Sequence, residues 1–165
     1  MANAIDIVNE AGDWTRVPGH RAVLRKAARA ALAHEKARKD GAIAILLTDN
    51  EGICRLNQQF RGLNKPTNVL SFPAMPNQSM ALARELPFLG DLALGYEICR
   101  SEAEAEGKSL VDHLSHLVVH GVLHLMGYDH EADAEAEVME ARERSILSRL
   151  GIADPYAGAE GGATE

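Results

Sequence analysis

Three histidines stand close together in the run His120-Gly121-Val122-Leu123-His124-Leu125-Met126-Gly127-Tyr128-Asp129-His130. His120 and His124 are one helical turn apart, so both rings leave the same helix face. Gly127 can take the left-handed conformation that ends a helix, and a chain folding back there returns His130 to the same point. Three neutral imidazoles with a fourth position open are the ligand count of a catalytic zinc site. A structural site takes four protein ligands, usually with thiolates. The thiols present, Cys54 and Cys99, lie in apolar contexts and read as small buried hydrophobes. One zinc ion per chain, held by His120, His124 and His130, is the expected cofactor. Copper or nickel also suit an all-imidazole set.

The same spacing is the zinc-binding frame of metzincin proteases, which carry Glu directly after the first His as general base. Gly121 stands there in this chain and can accept no proton. The ligand cage is kept and the peptidase base is absent, so peptide hydrolysis is the weaker reading. Water activation must be arranged differently.

These ligands need a scaffold, and 165 residues suffice for one domain with a real core. Aromatics make up only 4%, so that core must rest on aliphatic side chains. No apolar run is long enough to cross a bilayer, and the N-terminus has no signal-peptide core. With only two cysteines, a cytoplasmic protein with no membrane partner is expected. A net charge of −7 argues against unselective binding to nucleic acid while leaving room for a local basic groove, and DNA is not an expected partner. Arg21, Arg25, Lys26, Arg29, Lys36, Arg38 and Lys39 crowd the first helix and its exit. They read as a solvated helix face before a phosphate-binding one.

Hydrophobic periodicity predicts strands over 4–9, 42–48, 68–72 and 90–94, and helices over 18–39, 49–60, 96–106, 110–126 and 133–150. Asp49 or Asn50 is the expected cap of the second helix, and Ser109 of the metal-bearing one. The last helix should bury a stripe of Val138, Met139, Ile146, Leu147 and Leu150. Residues 73–89 read as an exposed loop or hairpin. The fold class is α+β: a small mixed sheet of about four strands packed with helices, including a central metal-bearing helix, in a single domain. That domain is expected over 1–156, with 157–165 a disordered tail.

Three segments together resemble the YbeY family of bacterial single-strand endoribonucleases, also called ribosome maturation factors. They are Asn57-Gln58-Gln59-Phe60-Arg61-Gly62-Leu63-Asn64-Lys65-Pro66-Thr67-Asn68-Val69-Leu70-Ser71-Phe72-Pro73, then Leu89-Gly90-Asp91-Leu92, and His116 through His130; downstream, Met139, Glu140, Glu143, Ile146, Leu147 and Gly151 also fit. The resemblance implies a metal-dependent hydrolase domain. It implies zinc on His120, His124 and His130, and a functional arginine at Arg61. It implies a role in small-subunit ribosomal RNA 3′-end maturation and in ribosome quality control. Single-stranded RNA and the ribosome or its small-subunit proteins are the implied partners. Many members have Asp where this chain has Asn68, so no acid–base work is expected there.

The expected chemistry is metal-assisted phosphodiester hydrolysis, with His120 and Arg61 at the reaction and Arg61 stabilising charge on the scissile phosphate. Two alternatives stand beside it: a metal hydrolase of another bond, and a ribosome-assembly module stapled by its metal. The sequence identifies no proton acceptor. His116 reads as a buried, hydrogen-bonded helix residue before a support for the metal ligands or a proton shuttle, and His113 as lying on the helix flank. Asp129 is expected to orient a ring or cap a turn.

Overall fold

The computed structural model describes residues 3–34, 41–74 and 88–157. In chain order the elements are β1 (Asn3–Asn9), α1 (His20–His34), β2 (Gly41–Thr48), α2 (Asn50–Arg61), β3 (Val69–Pro73), β4 (Phe88–Gly95), α3 (Tyr96–Glu106), α4 (Leu110–Leu125) and α5 (Asp133–Arg149). The four strands form one mixed sheet in the order β1-β2-β4-β3. β1, β2 and β4 run parallel, and β3 pairs antiparallel with β4. The expected α+β single domain and its mixed sheet are therefore what the chain adopts.

Alternation along the strands divides the apolar residues between two faces. Ile5, Ile7, Ile43, Ile45, Leu47, Leu92 and Leu94 meet α1, α4 and α5 in the main core. On the other face Leu70 and Ala93 pack with Ile53 of α2, flanked by Leu46, Leu56 and Phe72. β2 lies between two strands and is covered on both faces, which explains its almost unbroken apolar run. The Asp49 carboxylate caps α2 by accepting from the Gly52 N–H at 2.9 Å. The Ser109 hydroxyl does the same for α4 from Asp112 at 3.2 Å.

Several expectations need correction. α1 begins at His20 rather than Pro18, because the main chain and ring of His20 both turn back to the Val17 carbonyl. Its expected extension to Lys39 runs into residues 35–40, outside the described residues; most of the 73–89 loop and the tail from 158 also lie outside them. Val138 is 49% exposed and does not belong to the buried stripe of α5. Cys99 is fully buried, but Cys54 is only half-buried and its thiol donates to Asn64.

Among the described basic residues of α1, Arg21, Lys26 and Arg29 are exposed and Arg25 is half-buried, as a solvated face requires, yet the three arginines also reach the edge of the sheet. Arg21 donates to the Ile7 carbonyl and Arg25 to the Ile5 carbonyl, while Arg29 reaches the Asn3 side chain. β1 is an edge strand, and its outward carbonyls have no neighbouring strand to satisfy them. Guanidinium groups fill that role and cover the edge with charge.

Candidate metal centre

α4 carries the centre. His113, His116, His120 and His124 fall at i, i+3, i+7 and i+11, so they form one stripe along the helix. After Leu125 the helix closes with the Tyr128 N–H donating back to the Leu123 carbonyl, and Gly127 holds φ at 102°. That left-handed residue, strained for any side chain, folds the chain back. The ring of His130 then lies 5.4 Å from that of His120 and 5.0 Å from that of His124, centroid to centroid. The three residues each offer a nitrogen, all within 4.8 Å of one another. The Asp129 carboxylate fixes the turn by accepting from the His130 N–H at 2.7 Å.

The donor set fits zinc. Nε2 of His120 and Nε2 of His124 face each other at 3.2 Å. Two ligands at a tetrahedral angle on bonds of about 2.0–2.1 Å would stand about 3.3 Å apart. His124 also has its ring pKa lowered, first by burial and then by the facing His120 and His130. The neutral imidazole is the form that binds metal.

Glu143 of α5 orients this set, and the reading of the sequence assigned it no role. Its carboxylate is completely buried. It accepts from Nδ1 of His120 at 2.5 Å and from Nε2 of His116 at 2.9 Å, and the Tyr156 hydroxyl donates to it as well. Burial alone would push the carboxyl pKa up. The hydrogen bonds from His116 and His120 outweigh that and hold it down at about 2. An ionised carboxylate can only accept, so the proton of His120 sits on Nδ1 and the Nε2 lone pair is left for a metal. His116, His120 and Glu143 also lie within 4.8 Å of one another. With three donors already on Glu143, that group supports the histidine trio rather than forming a second ligand set. One signal in the sequence points to Glu143. It shares the helical phase of Met139, Ile146 and Leu147, so a carboxylate sits in an apolar stripe.

A second carboxylate grips the start of α4. Glu102 of α3 accepts from Nε2 of His113 at 2.8 Å and from the Asn68 amide at 3.0 and 3.3 Å. His113 is therefore buried at 3% exposure, not on the helix flank as the sequence suggested; its phase with His116 and His120 carries it inward. Asn68 acts here as a donor to Glu102, which an aspartate could not do.

Gly121 points into the fold. A Cβ there would meet Leu92 at 2.8 Å and the Ser71 hydroxyl at 3.3 Å. The residue lets α4 lie against β3 and β4, and Ser71 donates to its carbonyl at 3.3 Å.

The histidine trio opens into a cleft of about 1170 Å³ that also takes in Thr67 to Pro73 and, from α2, Phe60 and Arg61. Arg61 ends α2 and is exposed, and among the described residues it makes no ion pair. Asn57, at 1% exposure, sets this end of the helix: its side chain donates to the Lys65 carbonyl at 2.9 Å, and its own carbonyl accepts from the Leu63 N–H. The structure thus brings His120, His124 and His130 to one point and places Arg61 on the same cleft. No residue of α1 lines it.

Comparison with known proteins gives a consistent result. The profile of the family described as Endoribonuclease YbeY matches residues 7–151. An Endoribonuclease YbeY of Nitrobacter winogradskyi is 52% identical over 154 residues, covering 92% of this chain and 81% of the relative. Another, from Rhodopseudomonas palustris strain BisB18, is 48% identical over 155 residues, covering 93% of this chain and 92% of the relative. The solution structure of TM1509 from Thermotoga maritima superposes with a TM-score of 0.52 at 25% identity, covering 92% of this chain and 97% of that one.

Proposed function

This chain belongs to the Endoribonuclease YbeY family, and from that premise we propose that it is a zinc-dependent endoribonuclease of single-stranded RNA. The proposed setting is the cytoplasm. There it acts in maturation of the small-subunit ribosomal RNA 3′ end and in ribosome quality control, in contact with the ribosome or its small-subunit proteins. The observation that carries the reading is the convergence of three imidazole nitrogens on an open cleft that the exposed Arg61 borders.

His120, His124 and His130 would hold the ion. Bound there, zinc supplies Lewis acidity and a water acidified to a pKa of about 7. Glu143 keeps the His120 ring in one tautomer and one orientation. Arg61 offers a planar fork of N–H donors to the scissile phosphate and stabilises the charge that grows on its oxygens. The position a peptidase would use for its base is occupied by packing at Gly121, which favours the phosphodiester over the peptide bond.

The test pairs metal analysis with cleavage of a labelled single-stranded RNA, using wild type and His124→Ala. Wild type should carry one zinc per chain and cut the single strand but not its duplex. His124→Ala should lose both metal and cleavage. Wild type that keeps its metal yet turns over no RNA would replace this reading with that of an assembly module.

A further inference from the structure

Phe60 is 58% exposed, although it is a large apolar side chain in an ordered helix. Its ring meets that of Phe72 edge to face, with centroids 5.1 Å apart. Both rings line the same cleft as the histidine trio. Arg61, next to Phe60 in the chain, is exposed and lines the cleft as well, and Lys65 is exposed on the loop that follows α2; among the described residues neither makes an ion pair. β3 lies between the two sets of residues. In the sheet it is an edge strand; Ser71 turns toward α4, while Leu70 and Phe72 turn toward α2. The cleft therefore passes over the edge of β3 from metal ligands on one side to an aromatic pair on the other.

Exposed aromatic rings flanked by free cations are how proteins hold unpaired nucleotides. A base stacks on the ring and the cations meet the neighbouring phosphates. A duplex cannot use such a platform without unstacking one of its bases. An apolar protein segment would gain little from the two cations, and on a chain whose overall net charge is −7 a local pair of cations is the natural contact for a polyanion.

We propose that Phe60, backed by Phe72, is a stacking platform for one unpaired base of the substrate RNA, at a nucleotide removed from the scissile phosphate. The inference rests on the ribonuclease reading above and adds a source for preferring single strands. It also assigns Phe60 to binding, apart from the metal centre.

The experiment measures kcat/KM on a short single-stranded RNA and on a set of the same RNA with one abasic nucleotide at each position in turn. Wild type should show one abasic position, outside the cleaved linkage, that lowers kcat/KM by about tenfold to a hundredfold. In Phe60→Leu the intact RNA should be cut more slowly by a similar factor and the penalty at that position should vanish, with the melting temperature unchanged. Phe60→Trp should retain both rate and penalty. If wild type cuts RNA but Phe60→Leu shows the same rate and the same abasic profile, the platform is wrong and the ribonuclease reading stands. If wild type cuts no RNA, both fall together.

Discussion

The two banks of the cleft are built on opposite plans. On the α4 bank the chemistry is sunk into the fold: Glu143 is fully buried, and it fixes His116 and His120 with help from Tyr156. On the α2 bank Phe60 and Arg61 are exposed; the backbone beneath them is held through Asn57, the Phe60 ring rests edge to face on Phe72, and among the described residues the Arg61 side chain makes no ion pair. A metal ligand must keep its geometry when the ion departs, so its orientation is written into buried hydrogen bonds. A group that meets a flexible polyanion needs reach and an accessible charge, so it is anchored at its root alone.

The sharpest way to break the comparison is Arg61→Ala. It should lower turnover by about 10²–10³ while leaving metal content and melting temperature where they were. A drop in melting temperature alongside the rate would make Arg61 part of the scaffold and erase the distinction between the banks. Glu143→Gln probes the other side. Chelator competition should report zinc affinity weakened by about 10–100-fold, an effect that Arg61→Ala should not produce. Unchanged affinity would show that the ligands orient themselves. The smallest effect is one of pH on the metal-free protein. Glu143 holds its proton less tightly when folded than when unfolded, so its stabilising contribution is complete above about pH 4.5 and is lost as pH falls toward about 2. Thermal melts across that range should show a decline that is shallower in Glu143→Gln.

What could be read from the sequence follows the range of the interactions. The spacing of His120 and His124 and the turn at Gly127 are local, and helix geometry alone unites them. The caps at Asp49 and Ser109 and the apolar run of β2 were legible for the same reason. Glu143 was not, because 23 residues separate it from His120 and it stands among exposed acids of α5, Asp133, Glu135 and Glu137. Its phase with Met139 and Ile146, and its place among the residues that fit the family, set it apart from them, but neither names its partner. Arg21 and Arg29 of α1 are exposed, as their reading as a solvated face expects; their contacts with β1 were not legible, because a sequence does not say which strand will lie at the edge of a sheet. Arg61 came from likeness to a family; as a residue type at a helix end it says nothing of the cleft it borders.

The close approach at Gly121 has a consequence for how such a fold can diversify. A glutamate at that position would have to find room against Leu92, itself fully buried, and against the edge strand. Acquiring the missing protease base therefore asks the tip of the Leu92 side chain and the Ser71 hydroxyl to give way first, so the new carboxylate comes only with repacking between the helix and the sheet.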